Sequence, residues 1–489
     1  MSLSERISRG VKATFAANLI TVSANGVLSV VLARYLLTPD EYGTLFYALS
    51  ILGVILIFGT LGLPSSVARY ITEYTEEDPG QVPHILATSV IILLVFAGTV
   101  GVVVSAGSQM IADRLEEPNL AALLTLGFGY IVLQAMRTYL AKVFQGFNRV
   151  DYSAIVNAVF ATSHVILAIG LVLLGFGVVG AFTGYILGLF VAVVLGSGLL
   201  YLNFYRTFDP AEERESGLVR RVAEYSVPLT ATKGANVLDK QVDTILVGFL
   251  LNPTAVAFYT ISKQVSSVCA TPAKALGFTV SPAYGEEKAA DRVERAAQLY
   301  EQSLEHILIL YIPAVVGLIL VAEPMVRYVF GSDYLGAVPI LQVISFYVLV
   351  SAINRITSDG LDFLGRARDR AIIKTTTAVS NFILNLLLIP IFGVVGAAVA
   401  TVITFSVYTG MNVYIIASEL PIRFAAITRT VVGTSLVAVL MGVGVYLVLP
   451  FVSGPVTLFG VVGFGVVIWL IGASISGLFD VRRTVNFFA

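Results

Sequence analysis

Between Asn157 and Tyr205 the chain carries no Asp, Glu, Lys or Arg, and the same holds from Ile85 to Gly107 and from Val431 to Phe479. A helix that crosses the hydrocarbon of a bilayer needs about 20 mainly apolar residues, so each stretch is long enough for one or two crossings. Such runs recur to the end of the chain. Charged residues are 12% of the 489, about half the share of a soluble domain, and the mean hydropathy is +0.88. A soluble protein with a large apolar core is excluded by run length. The expected fold is an all-α polytopic membrane protein.

Apolar runs between charged or Pro/Gly breaks predict about 14 transmembrane helices, at 13–37, 42–66, 84–107, 119–144, 152–175, 178–203, 222–250, 254–281, 303–322, 336–362, 371–390, 393–417, 427–449 and 455–478. The basic N-terminus (Arg6, Arg9, Lys12) precedes an apolar run that reaches Leu37, too long for a signal peptide core, so it reads as a retained first span. Lys and Arg concentrate on the cytoplasmic side of membrane proteins. With these spans, 21 of the 30 basic residues fall in the tails and the loops on one side, and only Arg34, Arg114 and Arg327 on the other. The span count is therefore even. The protein is expected in the cytoplasmic (cell) membrane with both termini cytoplasmic.

Phe-Gly-Val-Val-Gly-Ala occurs at 176–181 and again at 392–397. Leu36-Leu37-Thr38-Pro39 matches Leu250-Leu251-Asn252-Pro253, and Gln145-Gly146-Phe147-Asn148-Arg149 resembles Leu364-Gly365-Arg366-Ala367-Arg368, all at offsets of about 214–219. Three matches in order at equivalent loops predict a duplicated six-helix unit. Six is even, so both copies enter the membrane in the same direction, an arrangement that secondary transporters use to enclose a midplane site. The expected organisation is an N-terminal bundle over 1–205, a cytoplasmic amphipathic linker over 206–221, a second bundle over 222–420, and two appended helices with a tail over 421–489. The two pseudo-symmetric bundles are expected to surround a central cavity.

Six basic residues fall inside spans: Arg137, Lys233, Lys240, Lys263, Lys274 and Arg355. A charge at mid-bilayer costs about 2.5–3.5 kcal/mol on insertion scales, so these groups are expected to face protein or a wet cavity. Acids at similar depth are fewer: Asp239, Asp243, Asp359 and Asp362. The cationic excess suits phosphate or pyrophosphate, which takes charge-assisted hydrogen bonds from such groups. Asn25 in the polar stripe of the first span, with Arg34 and Arg69 near span ends, completes the candidate substrate set. The competing reading is an internal ion-pair network, with Lys240–Asp243 and Arg355–Asp359 spaced to pair along their helices. For Lys274 and Lys142 it is snorkelling to the interface. Gly59, Pro64, Pro228, Pro272, Pro282 and Pro313 read equally as hinges or as tolerated kinks.

The span layout, Leu36-Leu37-Thr38-Pro39-Asp40-Glu41-Tyr42-Gly43, the segment Asp243 to Leu251, Gln145-Gly146 and the Phe-Gly-Val-Val-Gly-Ala pair resemble the polysaccharide-export flippases (Wzx-like) of the multidrug/oligosaccharidyl-lipid/polysaccharide superfamily. The resemblance covers the whole chain. It implies a secondary transporter, not an enzyme, that flips a polyprenyl- or dolichyl-(pyro)phosphate-linked oligosaccharide by alternating access for surface polysaccharide or glycoprotein assembly. Implied partners are that lipid-linked oligosaccharide, membrane lipid and neighbouring glycosyltransferases or polymerases, with no nucleic acid; the chain is expected to be a monomer. The resemblance also implies an ion-coupling set of Asp243 or Asp239 with Asn381, Asn385 and Thr401. Oxygen ligands suit a hard cation, but amides at both 381 and 385 leave the aspartates as the only ionisable members, so Na+ and H+ both stand as coupling ions.

The alternatives are a multidrug or small-solute exporter of the same superfamily, a membrane glycosyltransferase or polysaccharide polymerase, and a channel or scaffold. Six intramembrane cations argue against cationic drugs, and the outer loops are short and lack Asp-x-Asp. No GxxxxGK[ST] is present, so ATP-driven transport by this chain is unsupported. With one cysteine, Cys269, an intrachain disulfide is impossible. His84, His164 and His306 show no ligand spacing, so neither a metal site nor a cofactor is expected.

Overall fold

In hydrocarbon every peptide N–H and C=O has to be satisfied within the chain, which leaves helices or closed barrels. The computed structural model of this protein takes the helical solution. It describes residues 3–478, with side chains from Thr14 onward except that of Phe278; Arg6, Arg9, Lys12, Arg482 and Arg483 of the charge count lie outside the described side chains. Among the described residues there is no strand. The helices are α1 (Leu3–Val31), α2 (Pro39–Thr60), α3 (Leu63–Glu77), α4 (Val82–Ala106), α5 (Ser108–Arg114), α6 (Asn119–Thr125), α7 (Gly127–Gly146), α8 (Val150–Leu171) and α9 (Gly177–Asn203), then α10 (Leu218–Leu250), α11 (Pro253–Cys269), α12 (Thr271–Ala289), α13 (Val293–Met325), α14 (Val338–Phe363), α15 (Ala367–Phe392), α16 (Val394–Glu419), α17 (Phe424–Val448) and α18 (Pro455–Ile475).

Ten helical stretches among the described residues are long and apolar enough to cross a membrane, or eleven if α6 and α7, bent by 48°, form one span. One of the ten, Val150–Thr207, contains both α8 and α9, which pack on each other and so make two crossings. Helices α10, α11 and α12 are absent from that set. They carry Lys233, Asp239, Lys240, Asp243, Lys263 and Lys274, the charges that mark them as functional candidates. The architecture is compatible with about fourteen crossings.

Several expected boundaries move. The span expected over 42–66 ends at Thr60, where Leu61 (φ 43°) and Gly62 (φ 66°) turn the chain into α3. The span over 254–281 is broken at Ala270 into α11 and α12. Pro64 and Pro272 stand in the first turns of α3 and α12, where a missing N–H costs nothing, and so start helices instead of hinging them. Pro228, Pro282 and Pro313 do lie inside helices. The segment expected as an amphipathic linker is mostly irregular from Phe208 to Gly217. It is strapped to α3 and to the turn between α3 and α4: Ala211 N–H donates to Gly80 O (2.9 Å), Gln81 Nε2 to Glu213 O (3.0 Å), and Tyr74 OH to Glu215 Oε2 (2.5 Å).

The duplication is visible in the backbone. Gly177 (φ 52°, ψ −141°) and Gly393 (φ 60°, ψ −144°) open α9 and α16 in the same left-handed conformation. Thr38 and Asn252 cap α2 and α11: Glu41 N–H donates to Thr38 Oγ1 (3.3 Å) and Ala255 N–H to Asn252 Oδ1 (2.8 Å), each before a first-turn proline. The third sequence match needs a two-residue shift. After α7, Asn148 (φ 56°) is left-handed and Arg149 N–H donates to Phe144 O (2.8 Å); after α14, Gly365 (φ 81°) is left-handed and Arg366 N–H donates to Leu361 O (2.9 Å). Arg149 thus corresponds to Arg366, not Arg368. Asn and Gly are the residues that tolerate this helix-ending position, which hid the register in the sequence.

The chain divides into two compact units, Met1–Ala257 and Phe258–Ala489. This contact boundary lies beyond α10, whereas the repeat begins before it; the two divisions record different things, packing and duplication. In the first unit α8 packs on α9 and α1, and α7 on α3, α4 and α9. Without a hydrophobic drive between helices in lipid, close approach relies on small residues. Gly184 and Gly188 of α9 stand where a Cβ would overlap Ala168 and His164 of α8. Helix α10 packs along α2, with Gly248 against Tyr47 and Gly234 against Ile57. In the second unit α14 packs on α12, α13 and α16, and α15 mainly on α16. The appended pair, α17 and α18, packs on α13 through a core that includes Val321, Met441, Val445 and Trp469.

Candidate functional site

In the first unit, Arg137 lies midway along α7. Its Nε donates to Gln134 Oε1 (3.1 Å) and its Nη1 to Asn157 Oδ1 of α8 (2.6 Å), and the guanidinium sits 4.8 Å from the centre of the Phe160 ring. All three partners are neutral. Among the described residues no carboxylate is within ion-pair distance of Arg137. Lys233 of α10 is half-buried and likewise has no ion-pair partner among the described residues; the charge that acts on it is another cation, Lys142 of α7. Lys142 itself donates to Gln145 Oε1 (2.8 Å). The unit therefore holds positive groups, partly buried on its helices, without an ion-paired carboxylate among the described residues. Lys240 and Asp239 are exposed on α10, while Asp243 is buried, 4% exposed.

The second unit is different. Arg355 of α14 is ion-paired with Asp359 one turn on (3.0 Å), and Asp362 with Arg370 of α15 (3.0 Å). Lys263 lies 5.2 Å from the centre of the Tyr259 ring, and Lys274 is exposed. Asn385 of α15, fully buried, donates to Asn381 Oδ1 (3.0 Å); Asn381 Nδ2 donates to Thr404 Oγ1 of α16 (3.2 Å); and the Thr401 and Tyr259 hydroxyls are 3.2 Å apart. The structure thus gathers Asn381, Asn385 and α16 hydroxyls, with Thr404 rather than Thr401 touching Asn381. These are hard oxygen donors of the type Na+ takes, but all are neutral. The aspartates expected to join them, Asp239 and Asp243, belong to the first unit.

The remaining candidates are Asn25, Arg34 and Arg69. Asn25 is exposed on α1, and its neighbour Ser29 is buried with its hydroxyl 2.6 Å from that of Tyr42. Arg34 is exposed at the end of the first span. Arg69 is exposed on α3, stacked over Tyr225 (4.3 Å) and 3.7 Å from Glu73.

At the C-terminal end of α16, the Glu419 carboxylate takes Lys288 (2.5 Å) and Arg366 (2.5 Å), and these hold it below the usual carboxylate range. Burial pushes Glu301 up, but the Arg423 guanidinium and backbone N–H outweigh it and hold the carboxyl low. On α3, burial and then the bond to Glu215 push the Tyr74 phenol up to about 12.

Sequence reasoning passed over three residues of the Arg137 cluster: Asn157, Phe160 and His164. Their spacing puts them on one face of α8, a signal that means nothing until α7 is known to lie against that face.

A duplicated, polytopic helical protein with unneutralised cations inside its first unit belongs to the membrane carriers. The polysaccharide biosynthesis protein family matches residues 7–272, more than half of the chain, and the chain belongs to that family; the MatE family matches 228–387. The chain is 23% identical over 389 residues to the probable low-salt glycan biosynthesis flippase Agl15 of Haloferax volcanii, covering 79% of each. It is 25% identical over 365 residues to the lipopolysaccharide biosynthesis protein WzxC of Escherichia coli, covering 72% of this chain and 69% of that one. In fold it is similar to the lipid II flippase MurJ in an inward closed conformation, with a TM-score of 0.76 at 17% identity over 95% of this chain and 98% of that one. It is also similar to an inward-facing multidrug resistance MATE family transporter, with a TM-score of 0.67 at 16% identity over 82% and 95%.

Proposed function

We propose that this protein is a flippase: it moves a polyprenyl- or dolichyl-(pyro)phosphate-linked oligosaccharide across the cytoplasmic membrane by alternating access, for assembly of a surface glycan. The observation that carries this reading is the pair Arg137 and Lys233, two partly buried cations on helices of the first unit with no ion-paired carboxylate among the described residues. A substrate phosphate supplies the missing charge, and it does so only while bound. A relative named as a probable flippase of glycan biosynthesis and another named as a lipopolysaccharide biosynthesis protein support the substrate class. The multidrug reading fits less well, since uncompensated cations repel cationic drugs.

Both termini are cytoplasmic, in keeping with the distribution of Lys and Arg. No catalytic step is assigned to the chain. It acts as a monomer, supplied by a glycosyltransferase on the cytoplasmic side. Transport is coupled to Na+ or H+; transport indifferent to both gradients removes that coupling.

Complementation of a flippase-deficient strain tests the proposal. The wild-type chain is expected to restore the surface glycan. Lys233→Ala/Lys240→Ala is expected to insert normally and leave lipid-linked glycan on the cytoplasmic leaflet. Full activity of that double variant rejects the reading.

A further inference from the structure

His164 of α8 is fully buried. Its Nδ1 lies 2.7 Å from the Phe160 carbonyl oxygen; a carbonyl only accepts, so Nδ1 carries the hydrogen. That leaves Nε2 as a lone-pair acceptor in the neutral ring, and among the described residues nothing is within hydrogen-bond reach of it. A buried acceptor without a donor is costly, and such an orphan in a native protein calls for an explanation. The imidazole stacks on the Phe160 ring (4.6 Å between centroids), and the same ring carries the Arg137 guanidinium at 4.8 Å. One aromatic ring thus joins a fixed cation to an imidazole whose second nitrogen keeps an unused lone pair.

The surroundings contain nothing to balance either charge. Helices α1, α7 and α9 pack on α8. The described part of α1 brings no titratable side chain; α7 brings Arg137 and Tyr130; α9 brings Tyr185, 4.8 Å from the imidazole. The acid of α8 itself, Asp151, is held by Arg149 at the N-terminal end of the helix (2.8 Å). Of the five guanidinium N–H groups of Arg137, two are engaged, by Gln134 and Asn157.

We propose that Arg137 and His164 form a coupled anion–proton site inside the first unit: an oxyanion of phosphate type binds Arg137, and His164 Nε2 takes up a proton from water in response. The shared Phe160 ring keeps the two groups within about 10 Å, where a unit charge in a protein interior changes proton affinity about tenfold. With the site empty, Arg137 repels the proton. With an anion bound the repulsion is cancelled, and the proton travels with the anion. The inference rests on the flippase reading for the identity of the cargo, a lipid-borne phosphate, but not for the linkage itself.

The test is a pH titration of the purified full-length protein in nanodiscs by NMR with 15N-labelled histidine, in which His164→Gln identifies the His164 signal among three. The probes are inorganic sulfate, which does not titrate in this range, and a short-chain prenyl phosphate. Either anion is expected to let His164 protonate at about tenfold lower proton concentration. A response to the prenyl phosphate alone assigns the lipid-borne group as ligand, and a response to both assigns the bare oxyanion. Arg137→Gln is expected to abolish the response, and Arg137→Lys, which keeps the charge and guards against a folding artefact, to retain it. A His164 signal indifferent to both anions, or one that answers equally in Arg137→Gln, overturns the site. A strain rescued by the chain while His164 stays indifferent rejects this site and leaves the flippase reading standing.

Discussion

Gly177 and Gly393 adopt the same backbone conformation at the start of α9 and α16, with φ 52° and 60° and ψ −141° and −144°. Around each, the space a Cβ would enter is nearly open: nothing lies within 4 Å at Gly393, and at Gly177 only Glu41 Oε1, at 3.6 Å. The need for glycine is therefore one of backbone strain, not crowding. Gly177→Ala and Gly393→Ala are each expected to destabilise by about 1–3 kcal/mol, and by similar amounts, as a matched fall in the apparent melting temperature of purified protein. A large effect at one position and none at the other would show that the two turns are not equivalent.

Gly248 presents the opposite case. A Cβ there meets the Tyr47 ring at 2.6 Å, with Tyr47 fully buried. Gly248→Ala is expected to cost about 1–3 kcal/mol through overpacking and to loosen α10 from α2. Cysteines placed across the α2–α10 seam should then cross-link more slowly than in the parent; unchanged rates would contradict this account of the seam.

The contrast between Arg355 and Lys233 yields a prediction of opposite signs. Arg355→Gln strands Asp359, whose side chain is 20% exposed, and is expected to lower stability by about 1–3 kcal/mol. Much of this should return in Arg355→Gln/Asp359→Asn. Lys233→Gln removes a cation with no carboxylate to strand, so thermal stability should hold or rise while glycan export falls at least about tenfold. Loss of stability in Lys233→Gln would mean that Lys233 is a structural residue.

The Glu419 bridge predicts a pH response. Lys288 and Arg366 hold the Glu419 carboxyl below its ordinary value, and Arg423 does the same for Glu301 against the pull of burial. For a carboxyl depressed in the folded state, the stabilisation is fully present above the unfolded value, near 4.3, and is lost as pH falls through the folded one. The melting temperature is therefore expected to be flat from pH 8 to about 5 and to fall below it. In Glu419→Gln it should start lower and fall less, and an identical acid profile in that variant would remove the bridge from the explanation.

Much of the architecture was legible because membrane insertion is a coarse filter. A run such as 431–479 has few folds open to it once water is excluded, and the N-cap–proline pairs at Thr38 and Asn252 need no tertiary knowledge to be matched. The Asn148–Gly365 equivalence was not legible. Two residue types satisfy the same left-handed position, and the letters aligned two residues away from the conformations. The irregular strap over 208–217 was hidden for a related reason: its hydrogen bonds go to Gly80 and Gln81, far away in the chain.

The order of residues by itself determined that this chain lies in a membrane and that it is duplicated, and it singled out six cations within helical segments, because transfer free energy and helix length depend on composition over about 20 residues. Only the tertiary structure decided which of those cations are already neutralised. Arg355 finds Asp359 one turn along its own helix, while Arg137 meets the amides of Gln134 and Asn157 and a phenyl face instead. Electrostatic compensation falls off with distance over a few ångströms, and at that range what matters is which helix faces which.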